Sequence, residues 1–117
     1  MHDGPEHLPD RVRTMNESWR CLQPGGLLDI FVPTTDGRGA WQDPTHVSMW
    51  NVNSMFYYLE EFAEWQRFHE AYGIKARFRI PDANGSMQEA ARLLEAGHRE
   101  YPGHVTKLKI VLEAVKP

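Results

Sequence analysis

Trp19–Pro33 reads WRCLQPGGLLDIFVP and joins the end of a helical pattern to a short apolar run. Pro24 lacks the N–H that a helix interior needs, and Gly25-Gly26 tolerates the left-handed turn of a helix C-terminus, so the helix must stop here. Upstream, Val12, Met15, Trp19 and Leu22 recur at steps of three or four, while Arg11, Arg13, Glu17 and Arg20 take the other faces. Pro9-Asp10 suits the helix start, because Pro lacks only an already unpartnered donor and Asp can cap the first N–H groups. Downstream, Leu27–Pro33 is short, almost unbroken in its apolar character and bounded by breakers. Such a run predicts a strand covered on both faces, as in a parallel sheet flanked by helices.

Working outward, residues 34–52 form a long irregular loop, a length that compact domains usually keep for function. Asn53-Ser54 is positioned to cap a second helical region reaching Tyr72, broken near Leu59-Glu60 and ended by Gly73. Phe56, Leu59, Phe62, Trp65, Phe68 and Tyr72 give it an aromatic stripe, which places Trp65 and Phe68 in the core. Lys75–Ile80 alternates strictly: Ala76, Phe78 and Ile80 lie on one face, and Lys75, Arg77 and Arg79 on the other. Ser86-Met-Gln-Glu89 reads as a capping box that opens a helix through Ala90, Leu93 and Leu94, closed by Gly97. Lys107–Val115 reads as a strand with Leu108, Ile110, Leu112 and Ala114 facing inward. Helices thus alternate with strands in one domain over 1–117, an α/β layer architecture. Three strands make a narrow sheet for so apolar a first strand, and one edge is expected to be adhesive.

The chain has 117 residues, 41% of them hydrophobic and 25% charged, with a net charge of -3. That balance gives no sign of the clustered Lys/Arg excess that nucleic acid or an anionic membrane favours. With a single cysteine, Cys21, the chain forms no internal disulfide, and a reducing, cytoplasmic setting is expected. On a helix with no activating group beside it, Cys21 reads as a small apolar residue. No apolar run approaches the roughly 20 residues of a membrane span.

The densest concentration of chemistry is Gly39–Asn51, GAWQDPTHVSMWN. Asp43 and His46 suit an acid/base pair, since imidazole titrates near neutral pH and an adjacent carboxylate favours its charged form. The competing account is structural: Asp43 opens an Asx turn before Pro44, and His46 bonds to backbone in the loop. A metal would need a further ligand, and no cysteine or second histidine is close in sequence, so none is expected. Trp41, Trp50, Phe56, Tyr57 and Tyr58 are candidates for the wall of an apolar or amine-binding pocket, Trp41 and Tyr57 foremost, against a competing place in the core. Lys75, Arg77, Arg79, Lys107 and Lys109 read as a solvated basic face. Gly37-Arg-Gly39 follows a strand, but Trp41–Pro44 suits no first helical turn and no third glycine follows, so it reads as a plain turn.

WRCLQPGGLLDIFVP resembles the helix, Pro-Gly-Gly turn and following strand of class I S-adenosylmethionine-dependent methyltransferases. Glu6–Asp10, EHLPD, is similar to the segment after the fourth strand of many of them. Asp43–Tyr58, DPTHVSMWNVNSMFYY, resembles a bacterial subgroup in which an Asp-Pro-Thr-His loop precedes an aromatic helix near the substrate pocket. The two closing strands fit the antiparallel pair that ends that fold, and the resemblance spans residues 6–116. It implies a partial Rossmann-like fold, S-adenosylmethionine as methyl donor, and Glu6 and His7 near the reactive methyl. It implies Asp43 and His46 as the catalytic pair beside a small-molecule or other acceptor. The family's glycine-rich cofactor loop and its ribose-binding acidic residue have no counterpart here. The chain is therefore expected to be the carboxyl-terminal half of the domain, needing an amino-terminal half for the cofactor. The alternative expectation is a non-catalytic fragment that forms a homo-oligomer through its open sheet edge.

Overall fold

The computed structural model describes residues 4–97 and 105–117. Asp10 starts the first helix as its spacing suggests: the carboxylate accepts the Arg13 N–H at 3.0 Å, and α1 runs Arg11–Cys21. Met15 is wholly buried, and Val12, Trp19 and Leu22 pack against the core from the same helix. Cys21, in contrast to its apolar reading, is exposed at the helix end. Gly25 takes the left-handed conformation at φ 78°, which a residue with a Cβ adopts only under strain. Its N–H donates to Ala114 O at 2.9 Å, and Ala114 N–H donates to Gly26 O at 2.8 Å. The Pro-Gly-Gly turn is thereby bonded straight into the last strand, and Trp19 Nε1 adds a bond to Val115 O at 3.1 Å.

Among the described residues the sheet has three strands, in the order β1 (Leu27–Pro33), β3 (Lys107–Ala114), β2 (Phe78–Arg79). β3 lies between the other two and is antiparallel to both, pairing Leu28 with Leu112, Ile30 with Ile110, and Phe78 with Ala114. The architecture is a mixed α/β one built on an antiparallel sheet. The expectation of a parallel sheet and of a first strand covered on both faces is therefore corrected. β1 ends the sheet, with Ile30 and Val32 buried while Leu27 and Asp29 are exposed and Phe31 is half-buried. The pleat still alternates; the apolar composition of Leu27 and Phe31 merely hid it.

The helical region expected up to Tyr72 is divided. Val52–Tyr58 and Ala63–Phe68 are 3₁₀ turns, and α3 covers only His69–Tyr72 before Gly73. The cap is Asn51, whose side chain accepts Ser54 N–H at 3.2 Å while Ser54 Oγ accepts Asn51 N–H at 3.0 Å. The break near Leu59 has a cause in the sheet: Leu59 bridges to Phe78, and Glu60 N–H donates to Phe78 O at 2.9 Å. Trp65 and Phe68 are half-buried rather than core residues, and the buried aromatic is Phe62, just before that turn.

The alternation from Lys75 to Ile80 holds in burial, although only Phe78–Arg79 joins the ladder. Asn16 secures the strand's approach: its Oδ1 accepts Lys75 and Ala76 N–H at 2.8 and 2.9 Å, and its Nδ2 donates to Gly73 O at 2.8 Å. The basic face is solvated, and Arg79 pairs with Glu113 at 2.5 Å. The last helix, α4, spans Met87–Leu94, capped by Ser86, whose hydroxyl accepts Glu89 N–H at 3.2 Å. The return arm of the capping box is not made; Glu89 binds Arg92 at 2.9 Å instead. Gly97 sits against β3, where a Cβ would collide with Lys107 O and with Val105 Cγ1 at 2.8 Å. No described helix is long and apolar enough to cross a membrane.

Candidate functional site

Pro5–His7 forms one 3₁₀ turn, and the loop after β1 folds back onto it. Val47 and Ser48 N–H both donate to Glu6 O, at 2.8 and 3.1 Å, and Ser48 Oγ donates to Pro5 O at 2.9 Å. The buried Trp50 completes the clamp by donating its indole N–H to Ser48 Oγ at 3.0 Å. Arg11 reaches from α1 to Met49 O and Ser54 Oγ, both at 3.0 Å. These bonds span separations of 38 to 43 residues, and they place the EHLPD and DPTH segments against each other.

Four titratable side chains meet at this junction. His7 Nε2 lies 3.3 Å from Glu6 Oε1, and His46 Nε2 lies 3.7 Å from Asp43 Oδ2. The two imidazoles meet edge to face with centroids 4.8 Å apart. Their other nitrogens contact backbone: His7 Nδ1 is 3.1 Å from Thr45 O, and His46 Nδ1 is 3.2 Å from Ala40 O. Glu6 is only 2% exposed, whereas His7 and Asp43 open to solvent. Asp43 also makes the Asx turn, accepting Thr45 Oγ1–H at 2.7 Å and Thr45 N–H at 2.9 Å. These hydrogen bonds, with a smaller pull from the histidines, hold its carboxyl below the usual carboxylate range. The structural and the chemical accounts of Asp43 therefore coexist in one side chain.

The aromatic candidates separate. Trp50 is 1% exposed and belongs to the core, which corrects its place as a pocket wall. Trp41 is 62% exposed and donates its indole N–H to Thr35 O at 3.2 Å beside a shallow hollow that includes Arg38. A single helical turn, α2 (Gly39–Gln42), does begin at Gly39, contrary to expectation, and Pro44 limits it to four residues. Tyr57 lines a 670 Å³ cleft with Asp10, Arg11, Tyr58, Tyr72 and Met49 among its walls. Burial pushes the Tyr58 phenol up to about 12. Tyr58, like Tyr57, was a pocket candidate in the sequence, whereas Arg11 and Met49 were not singled out there. Arg11 had looked like a plain polar position on α1, and only the fold turns it toward the loop.

Compared with known proteins, the chain matches no family model, no curated protein and no solved structure.

Proposed function

We propose that the chain is the acceptor-side half of a class I S-adenosylmethionine-dependent methyltransferase domain of Rossmann-like fold. One observation carries the reading: the two segments whose resemblance assigns them to the substrate side, Glu6–Asp10 and Asp43–Tyr58, lie in direct contact through Glu6 O, Val47 and Ser48. The antiparallel pairing of β2 with β3 at the end of the chain supports it further. In the reaction, an oxygen, nitrogen or carbon of the acceptor attacks the methyl carbon in line. The carbon–sulfur bond breaks, its electron pair stays on a neutral thioether, and the acceptor's proton passes to a base. Asp43 and His46, 3.7 Å apart, are positioned to orient the acceptor and take that proton. Most of the acceleration would come from positioning. The donor's glycine-rich cradle is not among these residues, so another segment or chain supplies it.

Calorimetry with S-adenosylmethionine, on this chain alone and on this chain combined with a polypeptide carrying the glycine-rich half of such a domain, tests the reading. The combined form should bind the donor and transfer its methyl group, and Asp43→Ala or His46→Ala should slow transfer ~10²–10⁴-fold. Absence of heat at millimolar donor with the combined form would sink the proposal; absence with this chain alone removes only a stand-alone enzyme.

A second reading, self-association through the sheet, is favoured by Leu27 at 60% and Val111 at 41% exposure on the outer sheet face. A clean monomer by light scattering would remove it.

A further inference from the structure

Glu6, His7 and His46 each bring one ligand atom to within 4.8 Å of the others. Three features of this cluster point the same way. A backbone carbonyl only accepts, so Nδ1 facing Thr45 O in His7 and Ala40 O in His46 is the protonated nitrogen of each ring. In the neutral rings Nε2 then presents a lone pair, yet it faces Glu6 Oε1 at 3.3 Å in one case and Asp43 Oδ2 at 3.7 Å in the other. A lone pair set against a carboxylate oxygen is an unfavourable contact, and a metal ion seated between the two atoms would be bonded by both. Glu6 adds a second observation: its Oε2 is buried and has no hydrogen-bond partner among the described residues. An unpartnered buried carboxylate oxygen is costly, and a cation seated in the cluster relieves it.

We propose that Glu6, His7 and His46 bind a divalent transition-metal ion of the Zn²⁺ class. Two imidazoles and one carboxylate form a donor set that suits Zn²⁺ and leaves a fourth position for water or an acceptor oxygen. The carbonyls behind both rings are the usual outer partners of metal-binding histidines, fixing tautomer and orientation. Three atoms no more than 4.8 Å apart have a common centre within about 2.8 Å of each. Bonds of roughly 2.0–2.2 Å therefore need only a small contraction, which the exposed His7 can make. The site stands on this geometry and is independent of methyl transfer. If methyl transfer also holds, His46 Nε2 would hold the ion, Asp43 of the pair would remain to take the acceptor's proton, and the ion would supply Lewis acidity beside it.

The test is calorimetric titration of the chelator-stripped chain with Zn²⁺, with Co²⁺ absorption reporting nitrogen coordination. One ion per chain is expected, with a dissociation constant in the micromolar range or below, and the ion should raise the thermal midpoint. Loss of a single outer partner typically weakens binding 10–100-fold, so His7→Gln and His46→Gln should each weaken it at least ~100-fold. His2→Gln, altering a residue outside the described region, should leave affinity unchanged. Circular dichroism confirms that the variants fold; if one does not, the other and Glu6→Gln carry the test. No stoichiometric binding, wild-type affinity in the folded histidine variants, or loss of binding with His2→Gln alone would each overturn the proposal.

Discussion

β3 and the Asp43–Trp50 loop hold their places by opposite means. In β3, Leu108, Ile110, Leu112 and Ala114 are buried in strict alternation, with β1 paired along Lys107–Glu113 on one edge and β2 at Glu113 and Ala114 on the other. Its position follows from a repeating two-residue pattern that any neighbouring strand of the right polarity can meet. In the loop only Ser48 and Trp50 are buried, and Val47, Ser48 and the Thr45 carbonyl are held by single contacts to Pro5, Glu6 and His7. One segment is held by apolar area, the other by individual hydrogen bonds made across the chain. Damage to the first should spread through the whole fold, whereas damage to the second should open one corner of it.

The largest expected effect lies in the sheet. Phe78 is wholly buried and connects β2, β3 and the Leu59 bridge. Truncation of such a residue costs ~3–5 kcal/mol, a large share of the ~5–15 kcal/mol of a typical domain. Phe78→Ala should therefore lower the urea midpoint sharply and affect every probe together. A small shift confined to residues near 59 and 78 would break the comparison.

Ser48→Ala should be milder and local. It removes the donor to Pro5 O and leaves the buried Trp50 indole N–H without its acceptor, a loss of ~1–3 kcal/mol. Hydrogen exchange should speed up at residues 5–8 and 45–50 while β3 amides keep most of their protection. Equal loosening of β3 would show that the two regions are not separable.

The smallest effect sharpens the contrast by pH. Burial pushes the Glu61 carboxyl above its ordinary value of 4.5, opposed by the Ile80 N–H that it accepts at 2.8 Å. A carboxyl raised on folding supports the folded state below about pH 4.5, and that support is lost as pH rises through the folded-state value. Glu61→Gln is neutral throughout, so its stability relative to the wild-type protein should be higher at pH 7 than at pH 4 by urea denaturation. The same difference at both pH values would contradict the burial account.

Much of this was legible in the chain itself. The Asp10 cap, the stop at Pro24-Gly25-Gly26, the two-residue alternation of Lys75–Ile80 and of β3, and the Ser86 helix start all follow from backbone geometry. That geometry acts over a few residues, so a short window of sequence is enough to show it. The antiparallel pairing of β2 with β3 was expected from the resemblance, but the direction of β1, its edge position, the burial of Trp50 and the meeting of Glu6 and His7 with His46 were settled elsewhere. His7 and Thr45 are 38 residues apart, and no spacing rule reaches that far. The loop came to rest where its buried amides and hydroxyls found acceptors and its indole left water, a balance struck over the whole chain at once.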